Sequence, residues 1–104
     1  MIKVTYYIGM NDRNTLKQEL AKIDFILEFD KVFRDYTIHE AQGRFTNRLD
    51  EVTFERSLIV TTFIDDCTEA TLRQHVQHNC SILKDKLKQE SILVEITRPE
   101  VMFL

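Results

Sequence analysis

Between Leu72 and Leu87 the apolar residues Leu72, Val76, Cys80, Leu83 and Leu87 recur at steps of four, four, three and four. Only an α-helix with one face turned to a core gathers such positions on a single side. Arg73, Gln77, Lys84, Asp85 and Lys88 fall on the other side, and the basic residues collect in the last turns, where the helix dipole favours them. Asp66 and Glu69 ahead of the stripe have the spacing of a capping box. A one-sided helix must lie on something, and the start of the chain offers a partner. Ile2, Val4, Tyr6, Ile8 and Met10 alternate there with Lys3, Thr5, Tyr7 and Gly9, the period of a strand with one buried face. On that alternation Tyr7 points away from the helices.

The remaining segments read in sequence. Asn11 to Thr15 is a polar turn cluster. Lys22 to Arg34 is a second helix, with Ile26, Phe29 and Phe33 at i, i+3 and i+7 joined by Ile23, Phe25 and Val32. Tyr36 to Phe45 and Glu51 to Ile64 are strands that form a hairpin through the turn Thr46 to Asp50. Gly43 within the first of them marks a bulge or the close approach of another backbone. Ser91 to Thr97 is a closing strand ended by Pro99, and the apolar tail Val101 to Leu104 can pair as an edge strand. The order β-α-β-β-α-β predicts a single ferredoxin-like α+β domain over residues 1–104, with two helices on one face of a four-stranded antiparallel sheet. Leu58 to Phe63 is apolar at positions on both faces, so the sheet face away from the helices also needs cover. A second copy is the simplest cover, which predicts a homodimer.

With 104 residues the chain has the size of one domain and buries about two-thirds of its unfolded surface. Hydrophobic residues at 43% and charged residues at 30% exclude collagen-like and disordered classes. Fourteen Lys and Arg against seventeen Asp and Glu leave a net charge of -3, without the basic surplus that drives phosphate binding, so nucleic acid is a disfavoured partner. The N-terminal apolar run is too short for a secretory leader, and nowhere do about eighteen apolar residues come together, so no membrane partner is expected. Cys67 and Cys80 flank one helix and sit roughly 18 Å apart at 1.5 Å per residue, too far to bridge. Two free thiols suit a cytoplasmic location.

Four segments carry a resemblance: Tyr6-Tyr7-Ile8-Gly9-Met10-Asn11-Asp12, Tyr36-Thr37-Ile38-His39-Glu40-Ala41-Gln42-Gly43, Glu55-Arg56-Ser57-Leu58 and Gln89-Glu90-Ser91-Ile92. Together they resemble a family of small bacterial proteins classed as a domain of unknown function. The family pattern is a Tyr-Ile-Gly strand, a Thr-Ile-x-x-Ala-x-Gly strand, a Glu-rich strand and a Gln-Glu-Ser-Ile/Val closing segment. The resemblance implies the same fold, a bacterial, phage or mobile-element source, and a cytoplasmic setting. It brings no activity, and it draws attention to the polar positions Asn11, Glu40, Glu55 and Gln89. Arg13-Asn14-Thr15 and the longer charged hairpin depart from the family pattern.

Chemistry-bearing candidates are few. Glu40 and Glu55 lie on strands expected to pair, and two carboxylates brought close could share a proton as acid and base; ordinary ion pairs with Arg44 or Arg56 are the stronger reading. His39, adjacent to Glu40, faces the other side of its strand and cannot cooperate with it. His75 and His78 at i and i+3 suit a metal in spacing but lack further ligands, so a solvated helix face is favoured. Cys67 at a helix start has a context that can lower a thiol pKa, although an inert thiol is the commoner outcome. No Walker loop, dinucleotide glycine pattern or zinc-spaced cysteine pair appears, and no cofactor is expected. Two functions remain. The favoured one is a non-catalytic homodimeric interaction or regulatory module. The alternative is a small-molecule binder or cofactor-free enzyme of the dimeric ferredoxin-like barrel type, its ligand-binding residues drawn from Tyr7, Asn11, Glu40, Glu55 and Gln89. A walled pocket holding Tyr7, Glu40 and Glu55 separates the second from the first.

Overall fold

The computed structural model describes residues 1–46 and 49–104. Its elements are β1 (Ile2–Gly9), α1 (Lys22–Val32), β2 (Thr37–Thr46), β3 (Val52–Ile64), α2 (Glu69–Lys86) and β4 (Leu93–Thr97). The strands form one sheet in the order β2-β3-β1-β4, and every neighbouring pair is antiparallel. Two helices and this strand order make a ferredoxin-like α+β fold. Among the described residues no helix is long and apolar enough to cross a membrane.

The alternation of β1 sets the two faces. Ile2, Val4, Tyr6 and Ile8 are buried beneath the helices, where they join Leu58 and Val60 of β3. Helix α2 adds Leu72, Val76, Leu83 and, just past its end, Leu87, the stripe read from the sequence, with Cys80 half-buried at its margin. Helix α1 presents a different stripe from the expected one. Phe25, Phe29 and, beyond the last turn, Phe33 are buried at steps of four, while Ile23 is left 58% exposed. Their rings meet those of Tyr6 and Tyr36, with centroids 5.0 to 6.5 Å apart, the tilted geometry that aromatic quadrupoles favour.

Helix ends account for most boundary differences. The cap of α2 is Thr68, whose Oγ1 accepts the Thr71 N–H at 3.2 Å. The expected capping box from Asp66 and Glu69 does not form, because Glu69 is already the first helical residue and Asp66 pairs with the N-terminal ammonium at 3.2 Å. At its other end the Leu87 N–H reaches the Leu83 carbonyl, and the Gln89 N–H reaches the Lys84 carbonyl at 3.0 Å. Lys88 between them is left-handed at φ 54°, the Schellman closure of a helix. That closure uses residues expected to lead into the last strand, so β4 starts at Leu93 rather than Ser91.

Two further expectations are corrected. Gly43 marks neither a bulge nor an approaching backbone: β2 and β3 stay in continuous register from Thr37↔Thr61 to Thr46↔Val52. Val101 to Leu104 forms no edge strand and leaves Met102 and Phe103 exposed. In the expected hairpin turn, Asn47 and Arg48 lie outside the described residues.

Candidate functional site

Side-chain parity on β3 decides which candidates meet. Glu55 pairs with Gly43 of β2, and Ser57 pairs with Gly9 of β1, all on the face away from the helices. Both positions across from this part of β3 are therefore glycine, and they are the only two glycines in the chain. The side chain missing at Gly9 leaves a trough in which the Glu55 carboxylate lies. A Cβ built on Gly9 would stand 2.6 Å from Glu55 Oε1 and 2.8 Å from Oε2, well inside van der Waals contact. At Gly43 the space is taken by the ring of Phe45, which folds back to 2.4 Å from where a Cβ would be.

The trough opens into a groove of about 640 Å³ between the sheet and two loops. Tyr7, Ile59, Phe45, Leu93 and Leu16 give it apolar walls, while Asn11, Asp12, Arg13, Gln89 and Glu90 close one end. Glu55 Oε2 accepts the Asn11 backbone N–H at 3.2 Å. Tyr7 donates its hydroxyl to Glu95 Oε1 at 3.0 Å, which fixes the ring along the groove and raises the phenol pKa. Gln89 is 5% exposed, and its Nε2 donates to the carbonyls of Asn11 (3.0 Å) and Leu87 (3.1 Å). It therefore ties the loop after β1 to the end of α2, and its amide hydrogens are used in doing so. Among the described residues lining it, three carboxylates, Asp12, Glu55 and Glu90, stand against one guanidinium, Arg13. Asp12 Oδ1 is held by the N–H groups of Asn14 (2.7 Å) and Thr15 (3.2 Å). The groove is thus suited to a small, partly apolar and positively charged molecule.

Tyr7, Asn11, Glu55 and Gln89 come together as the sequence suggested, and Glu40 does not join them. Glu40 pairs with Leu58, an odd number of residues from Glu55, so it projects on the helix side. There it accepts from Lys22 Nζ at 3.1 Å and from Arg56, and these two cations hold its carboxyl below the usual range. A shared-proton carboxylate pair is therefore absent. The other candidates have local partners: His75 Nε2 lies 3.3 Å from Asn79 Nδ2, and Cys67 and Cys80 are free thiols. Among the described residues no group of three His, Cys, Asp or Glu side chains is arranged to hold a metal. Several groove residues lie outside the sequence-derived candidates, among them Asp12, Arg13, Ile59, Glu90, Leu93, Leu16 and Phe45. Gly43, two positions before Phe45, was the available signal for the latter, since only a residue without Cβ lets a ring fold back over it.

Compared with protein-family models and with curated proteins, the sequence matches none. Solved structures do share its fold. A phage SAM lyase in the apo state superposes with a TM-score of 0.74 at 17% identity, over 92% of this chain and 78% of that one. A phage SAM lyase in complex with S-methyl-5'-thioadenosine gives 0.69 at 20% identity, over 92% and 79%. At these identities the likeness is one of fold.

Proposed function

We propose that the chain is a small-molecule enzyme that binds S-adenosylmethionine in the glycine trough and cleaves it at a carbon–sulfur bond. The observation that carries this reading is the Glu55 carboxylate, laid between the only two glycines of the chain inside an apolar groove. A carboxylate so placed attracts a cation, with a Coulomb energy of about 1–4 kcal/mol at 4 Å for effective dielectrics of 80 to 20. S-adenosylmethionine carries two positive centres, a sulfonium and an ammonium, together with a flat purine for the apolar walls. The SAM lyase fold neighbours supply the reaction class.

The chemistry balances without a co-reactant. The substrate's own carboxylate oxygen attacks its γ-carbon, the γ-carbon–sulfur bond breaks, and the electron pair goes to sulfur. The products are the neutral thioether S-methyl-5'-thioadenosine and a five-membered lactone that keeps the ammonium. Enzymes accelerate such internal displacements chiefly by holding the reacting groups in line. Here Glu55 holds the cationic end, Tyr7 braced by Glu95 supports the bound molecule, and the Gln89 clamp keeps the loop at the polar end in place.

The test is titration calorimetry with S-adenosylmethionine, together with chromatographic detection of S-methyl-5'-thioadenosine. The expected result is binding and thioether release, both reduced at least tenfold by Glu55→Gln. Absence of both at millimolar S-adenosylmethionine overturns the reading.

A second reading concerns assembly. Phe45, Phe63 and Leu93 on the open sheet face are 49%, 44% and 68% exposed, which favours a second copy of the chain packed against this face. Light scattering at several concentrations tests it: twice the monomer mass is expected, and a constant monomer mass refutes it.

A further inference from the structure

Among the described residues, three other than glycine have a left-handed backbone: Leu16 at φ 60°, Asp50 at φ 58° and Lys88 at φ 54°. Lys88 sits where a helix closure requires that conformation. Asp50 is of a residue type that tolerates it, beside the hairpin turn. Leu16 has neither excuse, and a branched apolar side chain is ill suited to this region. Burial gives no return either, because Leu16 is 65% exposed.

The loop nevertheless enforces the conformation through a dense set of bonds. The Leu16 N–H donates to the Asp12 carbonyl at 2.8 Å, and the Asp12 N–H donates to the Lys17 carbonyl at 2.7 Å. Asp12 Oδ1 fixes the two intervening amides. The base of the loop is staked to the end of α2 by the Arg13 N–H on the Lys88 carbonyl, at 2.8 Å, and by Gln89 on the Asn11 carbonyl. The product of this arrangement is one exposed leucine lining the groove opposite the sheet. Strain held by surrounding bonds and unrewarded within the chain is characteristic of a position that acts on a ligand.

We propose that Leu16 is a specificity-determining residue: its side chain is the fixed apolar wall that closes on the molecule bound in the trough. The proposal rests on the trough being the ligand site. The ligand it selects has an apolar or aromatic body reaching past its cationic end, so that Leu16 is desolvated only when the groove is filled.

Two variants separate the wall from the strain. Leu16→Ala removes the wall and keeps a Cβ in the left-handed region; Leu16→Gly removes both. Titration with S-adenosylmethionine is expected to show about tenfold weaker binding for each variant, the loss of one buried leucine side chain. Thermal denaturation without ligand is expected to raise the melting temperature of Leu16→Gly by about 3 °C, through relief of the strained backbone, and to give no rise for Leu16→Ala. Binding by both variants within twofold of the unsubstituted protein overturns the role of Leu16 and leaves the trough intact. No binding by the unsubstituted protein itself overturns the ligand assignment and this inference with it.

Discussion

The two faces of the sheet are built from the same four strands and behave oppositely. Beneath the helices, side chains are large, closely packed and mutually satisfied: five aromatic rings interlock, and the Tyr6 hydroxyl accepts from Asn79 Nδ2 at 3.1 Å. On the open face, Glu55 is flanked by Gly9, Gly43 and Ser57, and among the described residues its carboxylate has one backbone donor, Asn11. The contrast extends to the two strand glutamates. Glu40 is neutralised by Lys22 and Arg56 and contributes a surface ion pair, whereas among the described residues no basic side chain pairs with Glu55. A strand can thus carry a structural carboxylate on one face and a receptive one on the other, decided only by whether a residue's number is odd or even.

The largest expected effect tests the covered face. Phe29 is fully buried among aromatic rings, so Phe29→Ala is expected to cost about 3–5 kcal/mol, a large part of a typical domain's stability. Chemical denaturation measures it, and a loss below 1 kcal/mol contradicts close packing there. Next is Tyr6, whose pKa burial pushes from 10.0 up to about 12. The folded state keeps that proton between pH 10 and 12 while the unfolded state releases it. Stability is therefore complete below pH 10 and falls by roughly 3 kcal/mol as pH rises to 12. Tyr6→Phe should flatten most of this alkaline slope in denaturation curves, leaving a smaller remainder from Tyr36, which is also pushed up to about 12.

On the open face the balance between stability and binding reverses. Gly9 does not have a left-handed backbone, so Gly9→Ala fits the strand, but its methyl occupies the space of the Glu55 carboxylate. Binding of S-adenosylmethionine is expected to fall at least tenfold with the melting temperature moved by only about 2 °C. A Gly9→Ala protein that binds normally breaks the link between the trough and the carboxylate. The smallest effect belongs to Glu40→Gln, expected to leave ligand affinity unchanged by calorimetry; a tenfold loss there would erase the distinction between the two glutamates.

The architecture was legible because it rests on periodicity. Alternation in β1 and the Leu72–Leu87 stripe fixed which residues lie inside, and Tyr7 was assigned to its face by parity alone. The α1 stripe is harder to read because several apolar residues crowd that helix, and a chain of ring contacts from Phe25 through Phe29 to Phe33, which alone of the three meets Tyr6, selects these residues over Ile23. Glu40 was misassigned for another reason: proximity on paired strands was weighed before register, and a shift of one residue exchanges faces. The trough was half-visible in Gly43, but its partner role with Gly9 depends on cross-strand register. Leu16 was hidden because nothing in a residue's identity announces a left-handed backbone that neighbouring bonds impose.

The amide of Gln89 joins Asn11 to Leu87 across nearly the whole sequence. The polar end of the groove therefore cannot form before Gln89 has left the ribosome. Until then the Asn11 N–H has its bond to Glu55, but the Asn11 carbonyl lacks the Gln89 amide and the pocket has no floor at that end. A fragment ending before Gln89 would carry Glu55 and both glycines without the clamp that holds the polar end in place.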